Sequence, residues 1–168
     1  MNDHNQEHPF IGAAQAFCGL VEQHESHDRT EWLEQIGDAL LRLESAIVQL
    51  QMPSPPSRHV GLADLEKRFE LYFRLKTFLR DEDDYWSEAD LHAGDGYMTG
   101  SLADDFADIY FELKCGLVLL ERGKRGAKAA IRFWAEGYRD HWRQHLVDAR
   151  KQLFEFKARC ASSNSPTP

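Results

Sequence analysis

Cysteine is scarce in this 168-residue chain: Cys18, Cys115 and Cys160 are the whole complement, and none stands within metal-ligand spacing of another. A disulfide scaffold and a zinc finger are thereby excluded. No apolar run approaches the ~18 to 20 residues of a membrane span, so no membrane partner is expected. The apolar stretch from Phe10 to Val21 has no Lys or Arg before it and lacks a small-residue cleavage pattern, so it does not read as a signal peptide. Phe17 is too bulky for the position before a lipidated Cys18. With an odd cysteine count as well, the expected compartment is the cytoplasm. Nowhere do apolar and polar residues alternate cleanly enough for a strand, and no internal repeat is present. A dinucleotide fingerprint, a phosphate-cradling glycine loop followed by Lys and Ser/Thr, and a Ser-His-Asp elbow are missing too.

What is present is helical period. Apolar residues make up 42% of the chain, enough for one domain of this length to bury roughly 70% of its unfolded surface. In Arg29 to Gln51, the residues Leu33, Ile36, Leu40, Leu43, Ile47 and Leu50 recur at steps of three and four and make one seam. Met52-Pro53-Ser54-Pro55-Pro56 should end that helix, because proline lacks the donor a helix needs. Leu62 to Arg80 repeats the pattern with Leu65, Phe69, Tyr72, Lys76 and Leu79, and the addition of Phe73 and Leu75 predicts two covered faces. A shorter helix is expected over Phe10 to His24. A fourth runs from Ser101, where Asp104 three residues on resembles a capping box, to about Glu121. The longest covers about Ala127 to Arg159. The expected fold class is all-α, a single-domain bundle of about five helices over residues 10–160, with loose tails at 1–9 and 161–168.

The one long connection, Asp81 to Gly100, opens on Asp81, Glu82, Asp83 and Asp84. It fails as a calcium loop: counting from Asp81, the fifth position is Tyr85, Trp86 replaces the turn glycine, and His92 stands where the bidentate Glu belongs. A solvated acidic loop is the expectation, with Gly94, Gly96 and Gly100 loosening its second half.

The last two helices carry an unusual polar cluster. On the fourth, Leu102, Phe106, Ile109, Leu113, Leu117 and Leu120 share a stripe, and Asp105, Asp108 and Glu112 fall on one flank roughly 60 to 120° away. On the fifth, Ile131, Trp134, Tyr138, Trp142, Leu146, Ala149, Leu153 and Phe156 define the buried stripe. His145 lies inside it, and His141 lies at its edge four residues earlier. Two histidines at that spacing facing carboxylates of a neighbouring helix make a plausible metal constellation. The bland alternative is a satisfied network that orders helix packing. Neither Glu-x-x-His nor His-Glu-x-x-His is present. Because both polar sets border the apolar stripes, the two helices should pack together with Asp105 or Asp108 in reach of His141 or His145.

Ser101-Leu102-Ala103-Asp104-Asp105-Phe106-Ala107-Asp108-Ile109-Tyr110, followed by Leu113 and Gly116-Leu117, resembles the central motif of a bacterial family catalogued as domain of unknown function 5063. Phe17-Cys18-Gly19-Leu20-Val21-Glu22 and the Leu50 to Pro53 helix end support the likeness. His141-Trp142 with His145, Asp148-Ala149 and Leu153 is similar to the family's closing motif. The likeness covers about residues 10–155, and the segment Asp81 to Gly100 departs from the family pattern. The resemblance implies an all-helical cytoplasmic bacterial protein and brings no activity with it.

Charge is split along the chain. Residues 1–121 hold 9 basic and 24 acidic side chains, and residues 122–168 hold 11 and 4, so a net −15 precedes a net +7. On an unbroken helix, Arg125, Lys128, Arg132, Arg139, Arg143, Arg150 and Lys157 fall within about 60° of one another. Such a stripe suits an acidic partner, the acidic part of the same molecule or a plain solvated face; if the same molecule supplies the acids, Asp81 to Asp84 are expected to pair with Arg125, Lys128 or Arg132. The net charge of −8 argues against nucleic acid. The sequence therefore supports two functions. The first is a non-enzymatic protein-protein interaction or accessory factor without a cofactor, its partner held by Arg125, Lys128, Arg132, Arg139, Arg143 and Arg150. The second is a metal-dependent, hydrolase-like enzyme with a divalent ion among Asp105, Asp108, Glu112, His141 and His145.

Overall fold

The structure is a computed structural model that describes residues 8–50, 64–87 and 98–163. It is all-α. Four rods, α1 (Pro9–Glu22), α2 (Arg29–Ile47), α3 (Leu65–Leu79) and α4 (Leu102–Leu120), precede a fifth built of α5 (Lys124–Gly137), a π turn (Tyr138–Trp142) and α6 (Arg143–Ser163). Helix α1 begins at Pro9, where a missing donor costs nothing, and His8 accepts from the Phe10 amide at 3.2 Å. Asp28 opens α2 by accepting from the Thr30 and Glu31 amides. The expected α2 seam is buried from Leu33 to Leu50, none of its six members more than 5% exposed. The proline cluster after it lies outside the described residues.

Helix α3 departs from expectation. Leu75 and Leu79 are buried, but Leu65, Phe69 and Phe73 are 66, 53 and 61% exposed. The reason is architectural: α3 lies chiefly on α4, so one inward face suffices and the second apolar face stays outside. Two short strands also form, which no alternation signalled. β1 (Asp84–Ser87) pairs antiparallel with β2 (Met98–Ser101), Tyr85 opposite Gly100 and Asp84 opposite Ser101. Asp84-Tyr85-Trp86-Ser87 sets two apolar residues side by side and so carries no alternation.

The acidic start of the connection is only partly solvated. Asp83 is fully buried, taking the Ala103 amide at 2.7 Å, the Ser101 hydroxyl at 3.0 Å and Lys76 Nζ at 3.1 Å. With Ser101 Oγ accepting from the Asp104 amide at 3.2 Å, it satisfies the free donors at the start of α4. Helix α4 is thereby anchored in the middle of the bundle, against α1, α3, α5 and α6. Its stripe residues Leu102, Phe106, Ile109 and Leu113 are buried, and Leu117 and Leu120 pack at the margin.

The fifth rod is interrupted where the sequence reads as continuous. A π turn holds one residue more than an α turn, so the faces of α6 are rotated by about 100° relative to those of α5. Trp134, before it, and Trp142, its last residue, are both fully buried, and Phe10 packs 5.0 Å from the first ring and 6.2 Å from the second. No helix of the described residues is long and apolar enough to cross a membrane.

Gly116 fixes how closely α4 and α5 approach. A Cβ there would lie 2.1 Å from Trp134 Nε1, the group that donates to the Leu113 carbonyl at 3.1 Å. Gly116→Ala should therefore destabilise the protein by about 1–3 kcal/mol in denaturant unfolding, despite alanine's better helix propensity. A stability equal to or above that of the wild type would show that the two helices can separate at no cost.

Candidate metal centre

Three carboxylates lie on one flank of α4: Asp105 (4% exposed), Asp108 (9%) and Glu112 (6%). A carboxylate out of water needs cations or donors, and the fifth rod, α3 and β1 supply them. From the fifth rod, His145 Nδ1 donates to Asp105 Oδ1 at 2.8 Å, and its Nε2 lies 3.2 Å from Asp108 Oδ2. His141, inside the π turn, donates from Nδ1 to Glu112 Oε1 at 3.0 Å. The two imidazole centres are 5.4 Å apart. The expected approach of the two helices, and the reach of their polar sets, is what the structure has.

Two members of the site carry no sequence signal. Arg68 of α3 donates from Nε to Asp108 Oδ1 at 2.6 Å and from Nη2 to Asp108 Oδ2 at 2.7 Å, and Nη2 also reaches Asp104 Oδ1 at 2.6 Å. Tyr85 of β1 donates its hydroxyl to Asp105 Oδ2 at 2.6 Å. Among the bases of α3, Arg68 is marked only by facing inward, and Tyr85 arrives through a strand that periodicity missed.

The electrostatics follow from this enclosure. The hydrogen bond to Glu112 holds His141 above its ordinary value, against the opposing effect of burial. For His145 burial is the largest influence and pulls downward, but the bond to Asp105 and the charges of Asp108, Asp105 and Asp104 together raise it. Burial raises Asp105, while its bonds from His145 and Tyr85 act the other way. The Asp105–His145 pair thus retains its shared proton, and we place it on the imidazole, which several carboxylates face. Hydrogen bonds to Asp108 and Asp104 keep Arg68 firmly charged. Burial pushes the Cys18 thiol up to about 12 and raises Cys115 as well, so neither is a thiolate nucleophile.

One ring nitrogen from each histidine and one oxygen of Asp108 lie within 4.8 Å of one another. Asp108 is buried, His145 is half-buried, and the His141 side chain is 45% exposed, so the cluster opens to solvent on the His141 side. Of the expected ligands, Asp105 and Glu112 stand one step back, each fixing Nδ1 of a histidine.

The basic set is dispersed. The π turn sets Arg125, Lys128 and Arg132 on a different line from Arg143, Arg150 and Lys157. Arg132 pairs with Glu136, Arg139 with Asp140, Arg150 with Glu44 and Lys157 with Asp38. The acids of the connection do not take the expected partners: Asp83 and Asp84 pair with Lys76, and Glu82 with Arg159. Lys76 is closer because α3 runs directly into the acidic segment.

Gly100 serves the centre through Tyr85. A Cβ at this position would fall 2.2 Å from the tyrosine ring, so only glycine lets the ring lie across β2 and reach Asp105. Tyr85→Phe should cost about 1.5–3 kcal/mol, since the lost bond is to a buried carboxylate. Gly100→Ala should cost less in the Tyr85→Phe background than alone, because the bond it disturbs is already gone. Chemical denaturation of the two single variants and the double variant measures this coupling, and strict additivity would contradict it.

The comparisons with known proteins agree with the fold and bring no chemistry. The chain is similar to the crystal structure of protein BF1032 from Bacteroides fragilis, a structural-genomics target, with a TM-score of 0.73 and 21% identity over 98% of this chain and 96% of that one. At that identity the likeness speaks for the fold alone. No curated protein matches the chain. The family model for domain of unknown function 5063 matches residues 3–159, nearly the whole length and both polar segments of the centre, and the chain belongs to that family.

Proposed function

We propose that this is a divalent-metal-binding protein whose ion is held by Asp108, His141 and His145. The observation that carries this reading is that three ligand atoms converge while each histidine is held from behind, through its other ring nitrogen, by its own carboxylate. Asp105 fixes His145 and Glu112 fixes His141. Metal-binding imidazoles regularly donate their other nitrogen to a carboxylate, which sets the tautomer and aims the free nitrogen. Two imidazoles and one carboxylate suit zinc or a neighbouring transition metal rather than calcium or magnesium. An ion with three protein ligands keeps a position for water and lowers its pKa toward neutrality, the basis of hydrolytic chemistry. On this reading the chain's own residues hold and orient the ligands, and the open His141 side admits a substrate.

A second reading, that of an interaction factor, draws on α3. Leu65, Phe69 and Phe73 follow one another at four-residue steps and are each more than half exposed, a pattern suited to another protein's surface.

Elemental analysis of protein purified without chelator tests the first reading, together with cobalt titration followed by visible absorption. About one equivalent of transition metal per chain is expected, with the cobalt bands lost in the His141→Ala, His145→Ala double variant. Metal at a hundredfold excess over its dissociation constant should stabilise the fold by about 2.7 kcal/mol. Trace metal, no cobalt spectrum and an unshifted melting temperature would reduce the cluster to a packing network.

A further inference from the structure

Arg68 stands in an unusual relation to the proposed ion. Its guanidinium bonds both oxygens of Asp108, and Oδ2 is the same oxygen that lies 3.2 Å from His145 Nε2. That oxygen is therefore the one an ion between the carboxylate and the imidazole would take. A guanidinium does not lose its proton, so it cannot withdraw its charge when a metal arrives. A cation beside a divalent ion opposes it strongly in a poorly solvated site. Arg68 also has somewhere to go: its Nη2 already holds Asp104 Oδ1 at 2.6 Å, and the Asp104 side chain is 44% exposed.

We propose that Arg68 is a resident counter-ion that competes with the metal for Asp108, so that metal binding loosens α3 from α4. The inference rests on the metal reading above and adds its regulation. Arg68 joins α3 to two carboxylates of α4, and a metal that claims Asp108 Oδ2 leaves the helix held through Asp104 and Oδ1. By linkage, the Arg68–Asp108 fork weakens metal binding by the same factor by which bound metal weakens the fork. The centre then exchanges its ion instead of locking it in, and α3 reports occupancy.

The alternative role for Arg68 is to support the carboxylate as an ordinary outer-shell partner, and it predicts the opposite sign. Removing such a partner costs about 10- to 100-fold in affinity. Competition predicts that Arg68→Met binds cobalt at least tenfold more tightly than wild type, with Arg68→Lys in between, since a point charge cannot cover both oxygens. Cobalt titration by visible absorption measures this on the full chain. Hydrogen exchange on the wild type supplies a second readout: cobalt should speed exchange across Arg68 to Leu75 while slowing it in α4 and α6. If Arg68→Met does not fold, the Lys variant and the exchange measurement decide. Affinity equal to or weaker than wild type in the variants, or α3 amides slowed by cobalt, would overturn the proposal. If wild type takes up no cobalt at all, the metal reading itself fails, whereas uptake with the wrong sign at Arg68 sinks only the competition.

Discussion

Everything near the centre follows from putting three carboxylates on one flank of a helix that lies in the middle of the bundle. An unpaired buried charge costs several kcal/mol, comparable to a domain's whole stability. Helix α4 can therefore be central only if its neighbours arrive with cations and donors in register. Arg68 comes from α3, His141 and His145 from the fifth rod, and the Tyr85 hydroxyl from β1. Apolar packing alone would let each neighbour rotate or slide by a turn. The polar flank removes that freedom, because a shift of one turn would leave Asp105, Asp108 or Glu112 without its partner.

Much of this was legible in the sequence, for identifiable reasons. The α2 seam reads correctly because one face is buried along its whole length, so three-and-four spacing and burial coincide. The meeting of α4 and α6 was legible because Asp105, Asp108, His141 and His145 all border apolar stripes, where helices touch. Arg68 was not, since an inward arginine looks like any other base until its acceptors are placed. Helix α3 misled for a related reason: periodicity shows that a face is apolar and says nothing of whether a neighbour covers it, and Leu65, Phe69 and Phe73 are left outside. Asp83 sits in an acidic run that reads as a wet loop, yet it is the buried cap of α4. The π turn is silent because one extra residue changes no composition, only the direction of every side chain beyond it.

The charge split along the chain finds much of its answer inside the molecule. Acids of the first part pair with bases of the last: Glu44 with Arg150, Asp38 with Lys157 and Glu82 with Arg159. Exposed pairs of this kind contribute at most about 1 kcal/mol each. Their effect is in orientation, because a basic α6 laid against an acidic α2 meets attraction at two points, Glu44 with Arg150 and Asp38 with Lys157. The asymmetry is thus matched in part by pairs within the chain.

The centre has a property that explains why a packing network and a metal site look alike in sequence. Asp104, Asp105, Asp108 and Glu112 supply four negative charges, and Arg68, His141 and His145 supply three positive ones when both imidazoles are protonated. Exchanging two imidazolium protons for one divalent ion leaves that balance unchanged. The same carboxylates are then satisfied in both states, and the net charge of the site need not change when an ion enters. What separates the two is access. The His141 side chain is 45% exposed while that of Glu112 is 7%, so the ring meets its buried carboxylate on one edge and water on the other. Holding that ring at the surface spares it part of the cost of burial and leaves an edge that an ion can reach from water.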